Sequence, residues 1–381
     1  MGCGFGEGCI FMGQPLISIV LTTFNSEDTI SDVLGAIVKQ DMPLSNVELI
    51  IVDGGSKDQT LEIVRGFLEK YGSLFNSTKL IVHDRNYGVS KARNDGMKAS
   101  TGKYILILDH DVIMINRSTL ANLLKFLSNS PQNVAAAIPL HLTYHESVLD
   151  RWVRLIREDR VTRASAITSC ALIKREVIDR IGFYDETLGP PFTIAEDTEY
   201  YARAKSRGYE ALIIGFEKVL HVTDEKMWRG KENVQQFSQH QAGTRKRLLG
   251  VLRRVFIAVS SIKSPSYRYA YKKYVASLPL LDKLKWYAYS ATLMLILLLI
   301  ILRISGVSSI LHPVIQIISL PFLMALIILY YIDTLREYWN PKVLHASLAY
   351  SLVALIWRIL RSIMLLTPVI IRKTTNLANK H

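Results

Sequence analysis

Residues 17–220 alternate short apolar runs with segments of helical period. "ISIVLTTFN" (17–25), "VELIIVDGGS" (47–56), "KLIVHD" (79–84) and "KYILILDHD" (103–111) each run apolar and end polar. Runs of this kind predict strands buried on both faces. Between them, "TISDVLGAIVKQ" puts Ile30, Val33, Leu34, Ile37 and Val38 on one side of a helix. "DQTLEIVRGFLEKYG" is a second helix with Asp58 placed as its N-cap, and "GVSKARNDGMKAS" is a third. Repeated strand–helix units predict an α/β domain with a mostly parallel, twisted sheet covered by helices. In such sheets a ligand sits at the carboxyl ends of the strands. Thr22–Asn25, Asp53, Asp84, Asp109 and Asp111 all fall at that edge.

The pattern changes in the last third. Trp286–Leu302 and Ile304–Ile332 contain no Lys, Arg, Asp or Glu, and Pro313 and Pro321 interrupt the second run. A membrane span needs ~20 mostly apolar residues, so the expectation is a transmembrane hairpin over 286–302 and 307–332. A third apolar helix, 343–371, carries Arg358 and Arg361 and suits either a third span or a helix lying in the interface. Charge sharpens this division. Residues 1–244 hold 27 Lys/Arg and 30 Asp/Glu, whereas residues 245–381 hold 19 and 3. The net charge of +13 therefore belongs to the tail.

Eleven of those cations lie in 245–285, where Leu248, Leu252, Val255, Phe256 and Val259 share a helix face. That pattern predicts amphipathic helices on an anionic membrane surface, although a solvated helix with an apolar core face has the same spacing. The adjoining uncharged runs argue against a basic arm for nucleic acid, so no nucleic-acid partner is expected. Positive charge before the first span predicts a multi-pass cell-membrane protein with residues 1–285 cytoplasmic. The division is then a disordered N-terminus (1–15), a catalytic domain (16–244), surface helices (245–285), a membrane region (286–371) and a tail (372–381). "MGCGFGEGCIFMG" has no signal-peptide pattern, and Met12 is a candidate start. Cys3, Cys9 and Cys170 have no metal-ligand spacing and fit a reducing compartment. An oligomer is compatible with all of this.

The candidate chemistry centres on "DHD". Asp109 and Asp111 are two residues apart at a strand end and can reach one site. Two such carboxylates suit Mg²⁺ or Mn²⁺ bound together with substrate phosphates. They equally suit an Asx turn, in which Asp accepts local backbone hydrogens. Lys91 and Arg93 precede this strand, as contacts for a diphosphate or as plain surface charge. Asp197 falls at the start of a helix after a Pro-rich loop, where the helix dipole favours acids in any case.

"ISIVLTTFNSEDTI", "ELIIVDGGSKDQT", "GVSKARNDGMKASTGKYILILDHDV" and "LIKREVIDRIGFYDETLGPPFTIAEDTEYYARAKSRGYEA" follow in that order. Together, over residues 16–222, they resemble the family 2 glycosyltransferases of the GT-A, nucleotide-diphospho-sugar fold. The resemblance implies a mixed sheet flanked by helices and an Asp-x-Asp motif at Asp109 and Asp111 that binds metal and sugar nucleotide. It implies nucleoside contacts at Thr22, Phe24 and Asp53. It also implies a catalytic base at Asp197 in inverting members, and a further metal or phosphate contact at His221, which alone reads as a structural histidine.

Two departures qualify it. Val52-Asp53-Gly54 has glycine where the family often places a second Asp, and the Gln-x-x-Arg-Trp motif of processive synthases is absent. The expectation is a metal-dependent inverting transferase, moving sugar from a nucleotide sugar to a lipid-linked or other membrane-proximal glycan acceptor. The alternatives are a polyprenyl-phosphate monosaccharide synthase, resembling the dolichol-phosphate mannose synthases, and a transferase fold that only binds.

Overall fold

The computed structural model describes residues 15–143, 148–167, 169–188, 196–222, 265–304 and 311–366. The expected N-terminal disorder, residues 245–264 of the basic segment and the tail lie outside the described residues.

Three of the apolar runs form the centre of one sheet. β1 (Ile17–Thr23) pairs in parallel with β2 (Val47–Asp53) on one side and with β4 (Tyr104–Asp109) on the other. β3 (Ser77–Val82) extends β2 in parallel. Register brings Thr22 opposite both Val52 and Asp109, and Thr23 opposite Asp53. The polar tips predicted from the sequence therefore meet at one level of one edge.

The rest of the sheet is antiparallel or mixed. β8 (Ala171–Lys174) lies antiparallel between β4 and β6 (Val134–Thr143). β9 (Glu210–His221) runs parallel to β6. β5 (Val112–Met114) and β7 (Val161–Arg163) both pair antiparallel with β9. The order is β3-β2-β1-β4-β8-β6-β9-β5, with β7 also on β9.

Alternation along the strands splits the core in two. Ile19, Leu21, Leu106 and Leu108 pack on one face with α1 (Ile30–Val38) and α4 (Thr119–Ser128). Val20, Ile105 and Ile107 pack on the other with α3 (Val89–Ala99), α6 (Arg175–Ile181) and α7 (Glu196–Ser206). α2 (Thr60–Tyr71) and α5 (Val148–Arg157) complete the flanking helices. Gly96 lets α3 approach β1 closely: a Cβ there would meet Val20 Cγ1 at 2.3 Å.

At the opposite end of the strands, one buried carboxylate joins four segments. Glu48 of β2 accepts from Ser18 Oγ (2.6 Å), Thr101 N (2.8 Å) and Lys79 Nζ (3.0 Å), with Ser77 Oγ at 3.4 Å. Burial raises its pKa, but these donors outweigh burial and hold it below the ordinary glutamate value. The stabilisation is therefore complete above the unfolded value, about 4.3, and is lost as pH falls through the lower folded value. Glu48→Gln is expected to cost about 1–3 kcal/mol at neutral pH, with the gap in Tm closing under acid. Thermal unfolding at pH 7 and pH 3 checks it.

After the sheet domain come α8 (Pro265–Ser277), α9 (Leu280–Ile304), α10 (Leu311–Tyr338) and α11 (Leu344–Leu366). They overturn the expected multi-pass membrane localisation. Among the described residues, no helix is long and apolar enough to cross a membrane. The runs read as spans continue into helical turns bearing charged residues. Lys285 of α9 meets Asp333 of α10 at 2.9 Å, and Arg358 of α11 meets Glu337 of α10 at 2.5 Å. These helices also dock on the sheet domain. Lys205 of α7 pairs with Asp282 at 2.6 Å, and Ser277 Oγ donates to Glu199. Arg160 Nη1 donates to Trp339 O, and Asn340 Nδ2 to Ile156 O. Tyr271, Val275 and Leu278 bury against Ala202 of α7.

Candidate functional site

The site forms at the carboxyl edge of β1, β2 and β4. The turn after β2 is built around Asp53, which is fully buried. Its carboxylate accepts from Gly55 N (2.9 Å), Ser56 N (2.8 Å) and Ser56 Oγ (2.5 Å). Gly55 takes a φ of +84°, where a side chain is strained. The turn after β1 locks onto it, since Asn25 N donates to Ser56 Oγ and Asn25 Oδ1 accepts from Lys57 N, each at 2.9 Å. Asn25 is itself left-handed, at φ 47°. Phe24 is half-buried, and a Cβ at Gly54 would stand 3.3 Å from its Cβ and Cδ2. The glycine that departs from the family pattern is thus the one that accommodates Phe24.

The strand-edge acids have different partners. Asp109 accepts from Thr22 Oγ1 at 2.9 Å and from Arg93 Nη2 at 3.1 and 2.8 Å. Arg93, 3% exposed, also reaches Glu196 Oε1 at 3.4 Å. Burial disfavours its charge, yet Asp109, Tyr184, Glu196 and Asp197 together hold its pKa above the ordinary arginine value. Its guanidinium lies 5.3 Å over the Tyr184 ring, which stacks on Tyr200 at 4.1 Å. Burial and the neighbouring Asp197 push the Glu196 carboxyl upward, against the pull of Arg93. Lys91, its expected companion, pairs instead with Asp95 on its own helix.

Asp111 accepts from or shares a proton with His221 Nε2 at 3.1 Å. Burial opposes its charge, but His221 and His110 hold its pKa below the ordinary aspartate value. The register sets this up: β5 and β6 flank β9 so that Val112 and Thr143 both lie opposite His221. His141 of β6 completes the corner, with its ring 5.9 Å from His221 and edge-on to it. Its Nε2 lies 3.0 Å from Ser169 O, and burial followed by His221 pushes its pKa down to about 4. It is therefore neutral near pH 7, with Nε2–H donating to that carbonyl.

Asp197 sits in the first turn of α7, half-buried. Its Oδ1 accepts from Thr198 N at 2.7 Å and Thr198 Oγ1 at 3.1 Å. The structure thus gathers Thr22, Arg93 and Asp109 into one network and brings Glu196, next to Asp197, into it. Asp111 and His221 form a second pair, and Asp53 serves its own turn. Sequence reasoning missed Glu196, His141 and Tyr184 as members of the site. Glu196 had a signal, as the acid beside Asp197. His141 had none, because only strand pairing brings it to His221.

Residues 18–182 match the family described as glycosyl transferase family 2. TarS of Staphylococcus aureus, a poly(ribitol-phosphate) β-N-acetylglucosaminyltransferase, is 34% identical over 31% of this chain and 20% of its own length. A PGL/p-HBAD biosynthesis glycosyltransferase of Mycobacterium bovis is 29% identical over 47% of this chain and 64% of its own. The chain thus spans about a fifth of the length of TarS. Among solved structures, the mannosyltransferase PcManGT of Pyrobaculum calidifontis, in complex with GDP-Man and Mn²⁺, has a TM-score of 0.47. It is 19% identical, with 90% of this chain and 88% of that chain covered. The fold described above is a mixed α/β sheet with flanking helices, and residues 18–182 within it match the glycosyl transferase family 2 model.

Proposed function

We propose that this chain is an inverting glycosyltransferase that moves a sugar from a nucleoside-diphosphate donor to a glycan acceptor. One observation carries the reading. The contacts Thr22–Asp109–Arg93–Glu196 tie the strand edge to the residue beside Asp197. The names of the relatives, both glycosyltransferases, support it.

In this reading the turns holding Phe24 and Asp53 receive the nucleoside. Arg93 places positive charge near the donor diphosphate and is itself held by Asp109. Asp197 takes the proton of the acceptor hydroxyl as its oxygen bonds the anomeric carbon. The bond from that carbon to the diphosphate oxygen breaks, and the nucleoside diphosphate leaves with the electron pair. No second carboxyl is needed to protonate so weakly basic a leaving group, unlike in glycoside hydrolysis.

Mg²⁺ or Mn²⁺ fits this site through Asp111 and His221. Both Asp109 oxygens are engaged by Arg93 and Thr22, and no group of three His, Cys, Asp or Glu side chains gathers as a ligand set among the described residues. One or two protein ligands plus donor phosphates are the usual arrangement for such ions. When bound, the ion would neutralise charge developing on the diphosphate.

The test is nucleoside diphosphate release from UDP- and GDP-sugars with Mg²⁺ or Mn²⁺. At least one donor is expected to turn over, and excess EDTA to remove most of that turnover. Failure of every nucleotide sugar would sink the reading, and turnover that survives EDTA would sink the metal. Gly54→Asp is expected to displace Phe24 and raise donor KM roughly tenfold, about 1.4 kcal/mol, with little change in Tm. An unchanged KM would separate Phe24 from the nucleoside.

A further inference from the structure

A cavity of about 1100 Å³ separates the sheet domain from the C-terminal helices. One wall carries Asp197 and Tyr201 of α7, and the facing wall carries Tyr274, Trp286, Tyr289 and Arg358. It slightly exceeds the ~300–1,000 Å³ typical of ligand sites for small molecules. Such a volume suits a chain of several sugar-sized rings rather than one.

The lining selects a chemistry. Trp286 is held edge-on by Tyr274 (6.2 Å) and Tyr289 (5.5 Å), giving a fixed aromatic surface. Four of the six cations lining this cavity already hold carboxylates: Lys205 with Asp282, Lys285 with Asp333, Arg358 with Glu337 and Arg163 with Glu210. An anionic ligand at those four cations would have to displace the carboxylates they hold. A neutral polyhydroxyl ligand can instead accept from the cations and donate to the carboxylates. Aromatic surface combined with paired charges is the chemistry that recognises carbohydrate, whose C–H faces stack on rings while its hydroxyls bond.

We propose that this cavity is a glycan site that takes a neutral oligosaccharide, stacked on Tyr274 and Trp286, with one hydroxyl presented to Asp197. Its assignment as the acceptor subsite rests on the transferase reading above; the glycan binding does not. The C-terminal helices are then part of the substrate site, and they set how much of the acceptor chain is gripped.

The experiment is calorimetric titration of the full chain with mannotetraose, chitotetraose, maltotetraose and an oligomeric glycerol phosphate. At least one neutral tetrasaccharide is expected to bind, with a Kd that does not change with salt. Trp286→Ala and Tyr274→Ala are each expected to weaken it about tenfold or more, and Trp286→Tyr to restore most of it. Tyr274→Ala, at a half-buried position, carries the test if Trp286→Ala does not fold. Binding of the phosphate oligomer alone, binding indifferent to both alanine variants, or no binding at all would each overturn the proposal. Donor turnover without glycan binding removes this inference and leaves the transferase reading intact. Glycan binding without donor turnover does the reverse.

Discussion

Asp197→Asn should lower sugar transfer by about 10²–10⁴-fold, with donor binding and Tm near those of the parent protein. Asparagine keeps the shape of the side chain. Its Oδ1 can still accept from Thr198 N and Thr198 Oγ1, so the first turn of α7 has no reason to rearrange. What it loses is the ability to take a proton at neutral pH. Donor affinity, measured as nucleotide binding, should hold, because the Asp109–Arg93 pair does not involve Asp197 directly. Transfer that survives this change would remove Asp197 as the base. It would leave Glu196, the neighbouring carboxylate that meets Arg93, as the next to test.

Arg93→Met should cost about 3–5 kcal/mol of stability and nearly all transfer. Arg93 is buried with two carboxylates, Asp109 and Glu196. Removing it leaves both without their counter-charge, which is costlier than never having built the network. Adding Asp109→Asn and Glu196→Gln to Arg93→Met should recover much of the stability, since the three remaining groups are neutral. It should recover none of the transfer. Thermal unfolding and nucleoside diphosphate release, read on both proteins, separate the two roles. Parallel recovery of stability and transfer would mean that Arg93 acts only through folding.

The parallel half of the sheet was legible because β1, β2 and β4 are apolar on both faces and end polar, β2 and β4 in acids. Runs of that kind declare both the strand and its open end. The antiparallel half was less so. β8 is four residues long, and its place between β4 and β6 depends on partners about 65 and 35 residues earlier in the chain. Asp109 and Asp111 were legible as a pair, but not their different partners. Which cation reaches which carboxylate is decided by α3 packing on β1 and by β9 closing beside β5. Asp53 was read as a nucleoside contact; its three hydrogen bonds within its own turn show that an acid at a strand end can also be the keystone of a loop.

The tail misled for a physical reason. An uncharged run shows that a segment avoids water, not which medium receives it. The charges that cap these runs pair with one another and with the sheet domain, 21 residues apart for Arg358–Glu337, 48 for Lys285–Asp333 and 77 for Lys205–Asp282, and Asn340 reaches Ile156 across 184.

That reach has a consequence for how the chain is made. Asn340 donates to the carbonyls at the end of α5, and Arg160 waits for Trp339, so these groups cannot be satisfied until the last helices have been synthesised. Domains tend to fold as they emerge, N-terminal first. The sheet would therefore stand assembled with one side still wet, and its final closure would be a late, slow, long-range search. A growing chain stalled before residue 339 is the form that chaperones should hold longest and proteases should find most readily.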